Sequence, residues 1–253
     1  MRINKTTIKA FLLPIALIAL VSCGPTLQQR KDDADIHFRL GSVYLRDRKT
    51  ADALMELTKA VELYPGDPSY HNALGLAYFA KGMNREAVKE MKKAVELDPK
   101  FSAAHVALSA VYIVDGRWDD SIASSEEALK NIFYSTPEYA YYNMGQAYYN
   151  KGDYANSIES YKKAVEAKHD YATAYFSLGM AYEKTGGIKD SVEAYENAVK
   201  ASPGYVDAHY NLGVALIKHK DRAGALKAFE KVIELSPESE KAQSAKDYIK
   251  LIK

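Results

Sequence analysis

A 34-residue period runs six times through this chain, and each copy carries the same few fixed residues. His37, Leu40, Gly41, Tyr44, Ala53, Ala60 and Pro65 return as His71, Leu74, Gly75, Tyr78, Ala87, Ala94 and Pro99. A period of this length means repeated supersecondary units, each too small to bury an apolar face by itself and therefore stacked on its neighbours.

The spacing and the fixed residues resemble the tetratricopeptide repeat. The resemblance implies an all-α fold: a right-handed α-solenoid of helix-turn-helix units with a concave, protein-binding face. The small residue at repeat position 8 fixes the phase. It is Gly41, Gly75, Ser109, Gly145, Gly179 and Gly213, which sets units at 34–67, 68–101, 102–135, 138–171, 172–205 and 206–239, with Thr136 and Pro137 as the only break in register. A glycine there lets the second helix of a unit approach the first. Pro65, Pro99, Pro203 and Pro237 at position 32 end one unit before the next opens. Phe133 and His169 replace proline in units three and four, where less sharply set junctions are expected. Residues 240–253 place Ala242, Ala245, Ile249 and Ile252 on one helical face and Lys241, Lys246, Asp247 and Lys250 on the other, the pattern of a polar-backed capping helix.

Residues 1–22 follow other rules. Arg2, Lys5 and Lys9 precede an apolar run from Ala10 to Val21, too short to span a bilayer and suited to a signal-peptide core. It ends in Leu20-Val21-Ser22-Cys23, which resembles a bacterial lipobox. The resemblance implies cleavage before Cys23, the single cysteine of the chain, and acylation of that residue. Several acyl chains on one residue give stable attachment, at about 0.8 kcal/mol per buried methylene. Gly24 after the cysteine implies the periplasmic face of the outer membrane. Residues 23–33, polar and without apolar periodicity, are expected to form the lipidated cysteine and a short tether.

Loss of Arg2, Lys5 and Lys9 with the leader takes the formal charge from +1 to −2, and no basic stripe marks a nucleic-acid footprint. No phosphate loop, dinucleotide fingerprint or zinc-protease motif occurs, so neither an enzyme nor a cofactor is expected. His37, His71, His105 and His209 form a ladder at position 4, with Tyr141 and Tyr175 in the other two units. Adjacent units stand on the order of 10 Å apart, too far for two ligands of one metal, so these histidines are expected to pack rather than bind metal.

The concave face is expected to come from positions 2, 5, 6, 9, 12 and 13 of each first helix. These positions nominate Phe38, Asn72, Phe79, Val106, Tyr142, Asn143, Gln146, Tyr149, Phe176, Tyr210 and Asn211 as a water-facing strip of rings, aliphatic side chains and amides. Such a strip suits an extended apolar or amphipathic segment of a protein partner, with the amides bonding its backbone. The Lys and Asn pattern of the chaperone-tail carboxylate clamp is absent, since position 9 reads Ser42, Leu76, Ala110, Gln146, Met180 and Val214.

Between units three and four, Tyr134-Ser135-Thr136-Pro137-Glu138 precedes Asn143-Met144-Gly145. This resembles the junction in type IV pilus pilotins, outer-membrane lipoproteins of six such repeats. The resemblance implies secretin subunits as partners and a role in carrying the secretin to the outer membrane and promoting ring assembly. A scaffold lipoprotein of an exopolysaccharide export machine is the alternative reading.

Overall fold

Each unit becomes two antiparallel helices because two runs of apolar residues at helical spacing are separated by a turn of two or three residues. The computed structural model describes residues 24–252, and contains thirteen α-helices and no strand among them. The units pair α1 (Leu27–Arg46) with α2 (Thr50–Leu63), α3 (Pro68–Ala80) with α4 (Asn84–Leu97), and α5 (Ser102–Val114) with α6 (Trp118–Leu129). Next come α7 (Pro137–Lys151) with α8 (Tyr154–Ala167), α9 (Ala172–Lys184) with α10 (Ile188–Ala201), and α11 (Val206–Lys218) with α12 (Arg222–Leu235), before the cap α13 (Glu240–Ile252). The turn inside each unit needs one left-handed residue. Gly82, Gly116, Gly152 and Gly186 supply it with φ of 71–81°, whereas Arg48 and Lys220 adopt φ of 60° and 67° at the same place in the first and last units.

The position-8 glycines work as their spacing suggests. A β-carbon on Gly145 would stand 2.5 Å from Tyr161 Cδ1, and Gly179 and Gly213 lie equally close under Tyr195 and Phe229. Leu57 and Met91 fill the same place over Gly41 and Gly75. Unit three solves the seam differently. Ser109 Oγ lies 2.7 Å from Ser125 Oγ and 2.9 Å from Ser121 Oγ, so a buried hydroxyl cluster stands where the other units put a glycine under a large side chain.

First helices of successive units touch one another from α1 through α9, while successive second helices make no comparable contact. The array therefore curls with the first helices inside, which places the groove on α1, α3, α5, α7, α9 and α11. The largest first-helix contact is α5 with α7, across the two-residue insertion.

Two expectations are corrected. Residues 27–33 are not a tether. They are the first two turns of α1, started by a capping box in which Thr26 Oγ1 accepts from Gln29 N at 3.1 Å and Gln29 Oε1 accepts from Thr26 N at 2.8 Å. The Gln28 amide donates to Asp32 at 2.8 Å along the same surface, so a polar run holds itself helical without an apolar stripe. The junction at His169 is also no looser than those with proline, since α8 and α9 are joined by Lys168 to Tyr171, as short a link as that between α2 and α3. The α6–α7 link is the long one. It is tied by Asn131, whose Nδ2 donates to Lys100 O at 3.3 Å and whose Oδ1 accepts from Phe133 N at 3.0 Å. No helix among the described residues is long and apolar enough to cross a membrane. The apolar run 10–21 and Cys23 lie outside the described residues.

Candidate protein-binding groove

The position-5 rings do not stand free in water. In units four to six each is held between two other rings. Tyr142 lies 5.7 Å from Tyr161 and 5.2 Å from Tyr171, Phe176 lies 5.8 Å from Tyr195 and 5.1 Å from Tyr205, and Tyr210 lies 5.9 Å from Phe229 and 6.2 Å from Tyr248. One neighbour is the large side chain over the glycine seam, and the other is the last residue of the same unit, which caps the next first helix, or comes from the C-terminal cap. Phe38 makes a related contact with Tyr70 at 5.0 Å. The strip is therefore a layer that joins unit to unit and shows the groove only part of each ring. This corrects the water-facing expectation: Phe38, Phe79, Val106, Tyr142, Gln146, Tyr149, Phe176, Tyr210 and Asn211 are half-buried, and Asn72 and Asn143 are buried.

Burial pushes the Tyr142, Tyr161 and Tyr195 phenols above their ordinary value, so they remain neutral donors. The Tyr195 hydroxyl donates to Glu183 at 2.9 Å, and Lys218 reaches the other oxygen of that carboxylate at 2.7 Å from the next unit. Position 12 reads Leu45, Phe79, Ile113, Tyr149, Glu183 and Ile217, and the one acid among them is an inter-unit tie.

The amides divide in role. Asn143 Nδ2 donates to Val106 O at 3.3 Å across the inserted junction, and Gln146 Nε2 donates to the Tyr142 hydroxyl at 3.2 Å. Asn72 Oδ1 is buried with no partner among the described residues. Buried acceptors are seldom left so, and this one sits at a groove position.

The apolar groove-side groups that do reach water are Tyr139 at position 2, Leu76 at position 9 and Val114 at position 13, the last 64% exposed. Their positions were legible in the repeat, but ring content pointed to position 5 instead.

The histidine ladder is structural. His71, His105 and His209 donate through Nε2 to the carbonyls of Pro65, Pro99 and Pro203, the position-32 prolines of the preceding units, at 3.0, 3.0 and 2.9 Å. Where that proline is replaced, by Phe133 and His169, the next unit carries Tyr141 and Tyr175 in place of histidine. The His71 and His37 Nδ1 atoms also meet Glu90 at 2.7 Å and Glu56 at 2.5 Å. Among the described residues no three metal-binding side chains converge.

Tetratricopeptide-repeat signatures match residues 25–68, 68–101, 145–186 and 176–240. The chain is a tetratricopeptide-repeat protein. It is a scaffold of the protein–protein interaction kind. No curated protein matches it in sequence. Among solved structures it is similar to Pseudomonas aeruginosa PilF, at 18% identity over 87% of this chain and 99% of that one, with a TM-score of 0.76. PilW, described as a widely conserved type IV pilus biogenesis factor, matches at 17% identity, 83% and 97% coverage and a TM-score of 0.76. MamA shares more sequence, 27%, but covers 69% of this chain at a TM-score of 0.58.

Proposed function

We propose that this repeat protein is a lipid-anchored scaffold of the outer membrane that binds secretin subunits of a type IV pilus and assists their localisation and ring assembly. The observation that carries the reading is the closeness of the superposition with PilF and PilW, since other repeat proteins that cover as much of this chain superpose less well. The pilotin-like segment Tyr134 to Glu138, which forms the end of the α6–α7 link and the first two residues of α7, supports it from the sequence. Cys23 would supply the anchor. With α1 beginning at Leu27, only Gly24 to Thr26 separate that cysteine from the solenoid, so the repeats would be held close to the membrane surface rather than on a long leash.

The groove would take an extended segment of the partner. Tyr139, Leu76 and Val114 offer apolar contact.

Deleting the gene tests the reading. Cells should still make secretin monomers but few heat-resistant multimers, and should lack surface pili. Normal multimers would reject it in favour of the export-scaffold alternative. A Cys23→Ala chain should leave the outer-membrane fraction while keeping its helical circular dichroism; a variant that still floats with the membrane would exclude the anchor.

A further inference from the structure

The two ends of the solenoid are finished differently. At the C-terminal end α13 buries Ala242 and Ala245 and turns Gln243, Lys246, Asp247 and Lys250 to water. At the N-terminal end α1 turns out Ile36, Leu40 and Val43, which are 63%, 39% and 39% exposed. These are repeat positions 3, 7 and 10. In unit two the same positions are Tyr70, Leu74 and Ala77, all buried; Tyr70 packs with Ala60 and Val61 of the preceding second helix, and Leu74 and Ala77 pack with Leu57 and Leu54. Unit one has no preceding helix among the described residues. A face left to solvent would carry polar residues, as α13 does. Here it carries Ile and Val at two positions that are mostly alanine in the other units.

We propose that this face pairs with the same face of a second copy of the chain, the two α1 helices running antiparallel about a twofold axis between Arg39 and Leu40. The register follows from the stripe. With the axis there, Ile36 of each copy meets Val43 of the other, and the two Leu40 side chains meet each other. Charge agrees with that register. Asp32 and Arg46 are exposed, lie on one flank of the stripe at 100° per residue, and stand about 10 Å on either side of the axis at 1.5 Å per residue. A twofold axis perpendicular to the helices keeps each residue on its own flank, so Asp32 of one copy faces Arg46 of the other, twice per dimer. A parallel pair, with its axis along the helices, would send each residue to the opposite flank and bring no Asp32 to an Arg46. A head-to-tail array is disfavoured because the outer face of α13 carries Gln243, Lys246, Asp247 and Lys250, with Leu251 as its one exposed large apolar side chain. Arg39 approaches its counterpart near the axis, and Asp47, 3.9 Å from Arg46, comes opposite Asp32 of the other copy; both limit the strength of the pair, so the dimer belongs with small, reversible interfaces. Isologous pairing of one patch is the commonest route to an oligomer.

The test uses the full chain in detergent. Leu40→Cys should give a disulfide-linked dimer under mild oxidation, well above both the unsubstituted chain, which reports any contribution from Cys23, and a Lys92→Cys control on the exposed side of α4. In analytical ultracentrifugation, Ile36→Asp should shift the chain to monomer with unchanged circular dichroism. Asp32→Arg and Arg46→Asp should each weaken the dimer roughly tenfold, two exposed ion pairs being lost, and the double reversal should restore it. A chain that is monomeric at high concentration overturns the proposal. So does a dimer in which Leu40→Cys cross-links no better than the control, or one in which the double reversal is as weak as either single change. None of these results bears on secretin assembly, which uses the groove on the other side of the first helices.

Discussion

Tyr161 lies on Gly145 so closely that a β-carbon there would stand 2.5 Å from Cδ1 of the ring. The ring is held from above by Tyr142, so it has little room to move away. Two effects oppose each other in Gly145→Ala. Helix propensity favours alanine by about 1 kcal/mol, while forcing a packed ring aside costs about 1–3 kcal/mol. Because the contact is far inside van der Waals distance, the second wins. Gly145→Ala should lower stability by about 1–2 kcal/mol in urea unfolding, and an unchanged or raised midpoint would show that the ring relaxes freely.

The aromatic layer makes a different prediction from a water-facing strip. Tyr142→Ala or Phe176→Ala removes a ring packed between two others, and should cost about 2–3 kcal/mol, below the full cost of a wholly buried ring. Calorimetry should show the loss directly. Val114→Ser should leave stability within about 0.5 kcal/mol while weakening partner capture; Tyr139→Ser should also weaken capture, and costs about 0.5–1.5 kcal/mol because it loses the edge contact with Tyr171 at 5.9 Å.

His71 makes stability depend on pH. Burial disfavours its imidazolium, but the hydrogen bonds to Glu90 and to the Pro65 carbonyl outweigh burial and raise its pKa above the ordinary value. Both ring nitrogens face acceptors, so the charged form satisfies both. A folded value above the unfolded one, about 6.5, means the stabilisation is complete below that pH and is lost as pH rises through the higher folded value. The unfolding midpoint should therefore fall over that window, and His71→Gln should flatten this part of the profile.

Arg48 and Lys220 pay a steric cost that glycine avoids at the same turn in the four middle units. Arg48→Gly and Lys220→Gly should each raise stability by about 1 kcal/mol, read as an upward shift of the thermal midpoint. Gly82→Arg should do the reverse.

The period and the glycine seam were legible because each rests on spacing along one chain. The partners of the seam were less so: nothing local says that Ser109 will meet Ser121 and Ser125 instead of lying under a ring. The exposure of the inner-face positions was not legible. Position 5 was assigned to the inner face by phase, and the second ring that covers it comes from the far end of the unit, Tyr171 or Tyr205, or from Tyr248 in the cap. The start of α1 was missed because Thr26 and Gln29 signal a helix by capping, while the residues after them show no apolar period.

The central claim is that the inner face of the first helices binds secretin subunits, and a photo-crosslinking residue at Tyr139 tests it most directly. In cells the account predicts an adduct between this protein and the secretin from position 139 and none from Lys92 on α4. Adducts of equal yield from both positions, or no secretin adduct from position 139, would contradict it.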